Sequence, residues 1–153
     1  MTQKTKSTKK KTGKPTPSIL SINVCDTIIR DEKTRKVSLI GLFNTINAHS
    51  FPATHGLMHV YIAMTNGHGK YETEVRFVSL EDNHPIIGMR GEVNFNSLLD
   101  AVEINIEWRD IPFKKPGNYA IEVLCDKIPI SSRKFRVIGM ENIVPPTKGT
   151  EGV

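Results

Sequence analysis

Val102-Glu103-Ile104-Asn105-Ile106-Glu107-Trp108 carries an apolar side chain at every even position and a polar one at every odd position. A period of two sends residues i and i+2 to the same face, so this stretch reads as a half-buried β-strand. The same pattern recurs on either side of it. Tyr119, Ile121, Val123 and Cys125 repeat it, and so do Met58, Val60, Ile62 and Met64, with His59 and Tyr61 on the opposite face. No segment keeps a 3.6-residue period for more than two turns. The fold class is all-β.

Turn chemistry divides the chain into about eight strands. The first runs from Ile19 to Arg30 and is followed by a charged turn, Asp31 to Arg35. The second spans Lys36 to Ile46, with a bulge expected at Gly41 because the inward parity shifts there. A loop over Ser50 to Gly56 leads to the third strand, Leu57 to Thr65. Asn66-Gly67-His68-Gly69 then supplies the positive-φ residues of a hairpin reversal. The fourth and fifth strands cover Lys70 to Leu80 and Pro85 to Val93, joined by Glu81-Asp82-Asn83-His84. A longer connection, Asn94 to Ala101, has room for one helical turn at Ser97-Leu98-Leu99. The sixth strand is Val102 to Arg109. Strands seven (Asn118 to Cys125) and eight (Lys127 to Val137) make a final hairpin around Asp126. This spacing implies two packed antiparallel sheets.

Charge is unevenly placed. The 153 residues carry a formal charge of +5, but Lys4, Lys6, Lys9, Lys10, Lys11 and Lys14 all precede residue 19, with no acid among them. The remainder is close to neutral. The reading is therefore a disordered Lys-rich tail over 1–18, a β-sandwich domain over 19–138 and a flexible C-terminal tail over 139–153. A domain of that size buries about two-thirds of its unfolded surface without a disulfide or metal. The N-terminus lacks the apolar stretch of a secretory signal, and no run approaches the ~20 apolar residues of a membrane span. The expectation is a cytoplasmic protein with no membrane contact. Its two cysteines, Cys25 and Cys125, are then most simply reduced, packed thiols; a disulfide requires them to lie on facing strands.

Pro112-Phe113-Lys114-Lys115-Pro116-Gly117-Asn118-Tyr119 resembles the start of a late strand in immunoglobulin-like domains. By that resemblance Tyr119 packs its ring inward and bonds its hydroxyl to loop backbone. Asn23-Val24-Cys25-Asp26, Lys36 through Phe43, and Phe51-Pro52, together with the late Pro-Gly-x-Tyr, are similar to a family of small bacterial proteins that carry a domain of unknown function. The similarity covers about residues 18–138. It implies an immunoglobulin-like β-sandwich and brings no catalytic residues, cofactor or partner.

Spacing separates the chemistry-bearing residues. His49, His55 and His59 fall within eleven residues, but no cysteine or carboxylate stands beside them at ligand spacing, so loop and outer-face histidines are expected rather than a metal site. Glu103 and Glu107 share a strand face about 13 Å apart, too far for paired-carboxylate glycoside chemistry. Turn acids show no dense Asp-x-Asp pattern for calcium. Nucleophile elbows, phosphate loops and zincin motifs are absent from the sequence, and neither cysteine adjoins a basic residue. Catalytic, cofactor and metal residues are thus all expected to be none.

What remains is binding. The tail lysines could associate with nucleic acid, weakly and without sequence preference, since no arginine or aromatic accompanies them. Phe51, Leu98, Leu99, Ile111 and Phe113 fall at expected chain reversals, where they either cap the core or form a partner patch. Trp108 is expected to plug the core. A free sheet edge offers a protein partner, or a second copy, a strand to pair with. The reading that follows is a non-enzymatic binding or assembly module. The alternatives are nucleic-acid association through the tail and a metal-dependent or enzymatic module around His49, His55 and His59.

Overall fold

A computed structural model describes residues 13–140 of the chain. Among them the periodic segments form nine strands and no α-helix: β1 (Ser18–Arg30), β2 (Val37–Leu42), β3 (Thr45–Ala48), β4 (Ala53–Thr65), β5 (Gly69–Ser79), β6 (Pro85–Phe95), β7 (Val102–Phe113), β8 (Gly117–Cys125) and β9 (Ile128–Gly139). They build two sheets, ordered β2-β1-β4-β7 and β3-β9-β8-β5-β6. All pairings are antiparallel except β3 with β9, which is parallel.

The ninth strand comes from a break inside the expected second strand. Gly41 has a φ of 71°, and the Asp26 carboxylate lies so close that a Cβ there would meet it at 2.4 Å. Only glycine fits both the positive φ and the close approach. Immediately beyond, the chain leaves β1 and crosses to the other sheet, where β3 lies beside β9. One predicted strand therefore becomes two edge strands in different sheets.

A second break hid the true end of β7. Val102, Ile104, Ile106 and Trp108 face inward, and the alternation ends at Arg109-Asp110, where periodicity alone predicts the strand to end. Asp110 takes a φ of 51°, which rotates the strand so that Ile111 and Phe113 face inward instead; both are fully buried. Opposite it, β4 begins at Ala53 rather than Leu57, and Ala53↔Phe113 and His55↔Ile111 are register partners. The expected helical turn at Ser97-Leu98-Leu99 is a hydrogen-bonded turn, with Asp100 N–H donating to Ser97 C=O at 3.1 Å.

Both sheets contribute to one core. Phe77 on β5 lies at its centre, its ring edge-on to Trp108, Phe113 and Phe135 at 6.4, 5.5 and 5.5 Å and stacked on Tyr119 at 5.7 Å. Trp108 and Phe113 belong to the four-stranded sheet and the other rings to the five-stranded one, so this cluster joins the two. Tyr119 is only 3% exposed, and its hydroxyl donates to Lys115 C=O at 2.7 Å. That is the corner geometry its sequence context suggested. Along another seam, inward-pointing Arg133 on β9 donates to Ile22 C=O and to Asn23 Oδ1 on β1.

The N-terminal lead is partly placed. Lys14 to Pro17 lie against the domain, Pro17 is buried, and the Tyr71 hydroxyl donates to Pro15 C=O at 2.7 Å. The expected disorder of residues 1–12, and most of the expected C-terminal tail, fall outside the described residues.

Phe77→Ala should cost about 3–5 kcal/mol in chemical denaturation, as for other buried aromatics. Tyr119→Phe keeps the ring and loses one buried hydrogen bond, so about 1 kcal/mol is expected. Equal costs would show that the corner bond, rather than the ring cluster, sets the stability of this end.

Candidate functional site

The outer face of the four-stranded sheet carries the carboxylates. Glu103 and Glu107 on β7 share it with Tyr61 and His59 on β4 through the pairs Ala63↔Glu103, Tyr61↔Asn105 and His59↔Glu107. Each acid is engaged. Glu107 meets His59 at 3.5 Å and pairs with Arg109. Glu103 accepts from Arg30 at 2.9 Å and from the Tyr61 hydroxyl at 2.8 Å. Glu122 lies on β8 of the other sheet and accepts from Arg76 at 2.7 Å. These residues make separate ion pairs rather than an acid–base pair.

The Arg30–Glu103 bond fixes the shape of the β1–β2 hairpin. Glu103 is level with Ala63, and Ala63 pairs with Ser21 on β1. Nine residues of flat strand would carry Arg30 about 30 Å beyond Ser21. For the guanidinium to reach Glu103, the chain must turn back. It does so after Cys25, the last β1 residue paired to β4, next to the Asp26–Gly41 approach. His59 Nδ1 bonds Asp26 C=O at 2.8 Å at the same bend. The arm explains why Cys25, on the outer-face parity of β1, is fully buried. Hydrogen bonds from Arg30 first, then Tyr61, hold the Glu103 carboxyl below the usual glutamate range. Desolvation first, then the bonded Glu103, pushes the Tyr61 phenol up.

The histidines do not converge. His49 is exposed in the loop before β4. His55 lies on the inward side of β4 with its ring 5.7 Å from Phe43, whereas His59 faces outward. Among the described residues no group of three or more His, Cys, Asp or Glu is placed to hold a metal. Ser79, Asp82 and His84 come together at a crevice of about 180 Å³ near Lys115 and Tyr119. Their bonds are those of a tight turn: Asp82 accepts from the His84 backbone N–H at 3.1 Å, and Ser79 N–H donates to His84 C=O at 2.9 Å. A side-chain hydrogen bond from Ser79, second to the His84 backbone N–H, helps hold the Asp82 carboxyl below the usual aspartate range.

Both thiols are free and buried. Desolvation, then the Asp26 charge, raises the Cys25 pKa. Desolvation likewise raises that of Cys125, whose sulfur is 3.7 Å from Thr73 Oγ1. Burial and the raised pKa both disfavour the thiolate form.

Of the five apolar residues singled out from the sequence, Ile111 and Phe113 are core strand residues and Phe51 packs against the core. Leu98 and Leu99 remain exposed, at 50% and 93%. Of the six lysines, Lys14 is described; it meets Asp126 at 3.4 Å and lies over the Tyr71 ring at 4.8 Å. Lys4, Lys6, Lys9, Lys10 and Lys11 lie outside the described residues. Sequence reasoning missed the apolar stripe on the arm: Ile29 (51% exposed), Ile40 (47%) and Leu42 (61%) share a face across the β1–β2 pairing. Its signal was available in Val37-Ser38-Leu39-Ile40-Gly41-Leu42, which contains no charge.

The chain belongs to a family of unknown function (DUF6941), whose pattern matches residues 20–138. No curated protein matches it in sequence. Among solved structures it is similar to the Pseudomonas fluorescens alkylpurine DNA glycosylase AlkC bound to DNA containing an abasic site analog. The TM-score is 0.40 and the identity 9%, over 76% of this chain and 30% of that one. A TM-score of that size does not define a common fold, and nothing about this chain follows from it. Among the described residues no helix is long and apolar enough to cross a membrane.

Two outcomes are expected. Arg30→Ala should lower stability by about 0.5–1 kcal/mol near pH 6, the range of partly exposed ion pairs. Because the folded Glu103 pKa is depressed, its contribution is present above the ordinary glutamate pKa and is lost as pH falls through the folded value. The difference between wild type and Arg30→Ala should therefore vanish in acid; a difference that persists there would show that Arg30 acts through packing alone. Cys25 and Cys125 should resist a thiol reagent in the native protein and react together on unfolding.

Proposed function

From family membership as the premise, we propose that the domain is a non-catalytic, immunoglobulin-like assembly module that pairs with a second copy of itself through the free edge of β2. The immunoglobulin-like reading is supported by the two-sheet core, the parallel β3–β9 edge pair and the Tyr119 corner. Two buried cysteines left as thiols favour a reducing compartment such as the cytoplasm.

The observation that carries the assembly reading is the contrast among the four sheet edges. Edge strands are ordinarily protected by charge, proline, shortness or a bulge. β3 has only four residues. β6 begins with Pro85 and carries Arg90 and Glu92, and β7 carries Glu103, Glu107, Arg109, Asp110 and Pro112. β2 has six residues with neither charge nor proline, and its apolar side chains stand in solvent beside Ile29. Gly41 is its sole irregularity.

Two copies related by a twofold axis perpendicular to the sheet would pair β2 antiparallel to itself. With Ile40 opposite its own copy, Ser38 falls opposite Leu42 and Lys36 opposite Asn44. No like charges meet, and the two apolar stripes become continuous. Residues close to the twofold gain both ladder bonds and side-chain contact, the usual basis of strand addition.

Sedimentation of the purified full chain should show a dimer at micromolar concentration, and Ile40→Lys should convert it to a folded monomer. Wild-type protein that is monomeric at that concentration, or Ile40→Lys protein that remains dimeric, overturns the reading.

A further inference from the structure

The β5–β6 and β7–β8 turns lie side by side and are stitched together. Ser79 and Tyr119 are register partners, Leu80 N–H donates to Asn118 C=O at 3.0 Å, and the Lys115 ammonium pairs with Glu81. The Tyr119 hydroxyl closes the second turn on Lys115 C=O at 2.7 Å. The crevice of about 180 Å³ lies between these turns. Backbone bonds and the aromatic core set its shape, so it is formed before any ligand arrives.

Its lining is mainly apolar. The buried Tyr119, the half-buried Ile86 and the exposed rings of Pro85 and Pro112 supply most of it. A cavity of roughly 150 Å³ with apolar walls takes one benzene ring. One ring, or a branched aliphatic group of that size, therefore fits here.

The charged groups around the crevice differ in what they have left to offer. Asp82 is committed to its own turn, accepting from His84 N–H at 3.1 Å and from the Ser79 hydroxyl. Of the two lysines, Lys115 is held by Glu81, whereas Lys114 pairs with no carboxylate among the described residues. One uncompensated ammonium beside an apolar crevice matches a single negative charge. A dianion would also meet the Asp82 and Glu81 carboxylates, and a cation would meet Lys114.

We propose that the crevice binds an organic monoacid, one carboxylate on a ring-sized apolar group. Lys114 holds the carboxylate, and the apolar group packs against Pro85, Ile86, Pro112 and Tyr119. A free small acid and the C-terminal residue of a peptide present this same chemistry. None of the residues involved belongs to β2, so binding here does not require the β2 edge.

The test is an amide NMR titration of the full chain with sodium benzoate, benzyl alcohol and benzylamine, probes that share a ring and differ in charge. Benzoate should saturate with a dissociation constant of about 1 mM, ordinary for so small a ligand. The amides that shift should be those of residues 79–86 and 112–119. The alcohol and the amine should bind at least about fivefold more weakly, and Lys114→Gln should weaken benzoate by about the same factor. That is less than a charged hydrogen bond gives when buried, because the ammonium is exposed. Thermal melting should not change. Lys33→Gln, in the β1–β2 turn, should bind benzoate as wild type does. Acetyl-glycyl-phenylalanine separates the two sources: binding tighter than benzoate, and lost on amidation, identifies a peptide end, whereas weaker binding identifies a free acid. Benzoate that fails to saturate by about 10 mM overturns the proposal. So do shifts centred elsewhere, equal or tighter binding of the alcohol or the amine, and wild-type affinity in Lys114→Gln.

Discussion

The packing of Phe77 against rings from both sheets is the constraint on which the other features depend. Trp108 and Phe113 reach it from β7, and Tyr119 and Phe135 from β8 and β9. Those two β7 residues differ in parity, so both can face Phe77 only if the strand rotates between them. Asp110 supplies that rotation at a φ of 51°. Tyr119 stacks because its hydroxyl is fixed by Lys115 C=O, which sets the β7–β8 turn. Each ring thus determines a piece of backbone at some distance from it.

With the inner faces committed to that cluster, the outer faces are left to polar side chains, and their ionisable groups serve architecture. Glu103 is the clearest case. As a carboxylate on an open sheet face it invites a catalytic reading, yet its oxygens are taken by Arg30 and the Tyr61 hydroxyl. The result is a hairpin bent back over its own sheet and a Cys25 thiol sealed beneath it. The same economy applies to Asp82 and Asp100, whose carboxylates accept backbone N–H groups in turns. Such acids fold loops; they do not approach one another.

What this arrangement leaves uncovered includes apolar side chains. Two features stand out, at different places on the domain. The β2 edge is apolar and uncharged where the other edges are short or charged, and the Leu98–Leu99 loop is held by side-chain and backbone hydrogen bonds while its side chains face solvent. Of the apolar residues that the sequence left open between core caps and a surface patch, Leu98 and Leu99 are exposed, whereas Ile111 and Phe113 lie in the core because the strand continues past the point where its alternation fails.

The sequence by itself determined the all-β class, the placement of most strands and the inward faces of β4, β7 and β8, because a two-residue period is a local property that survives without knowing any partner strand. It also marked Gly41 as irregular and Tyr119 as an inward corner. Tertiary structure alone decided that the chain crosses between sheets after Gly41, that β7 resumes after Asp110 with reversed parity, and that Arg30 meets Glu103 seventy-three residues away. A single positive-φ residue or a long-range ion pair leaves no periodic trace in the sequence. Such features exist only when two distant segments are brought together, and here that is the work of the shared aromatic core.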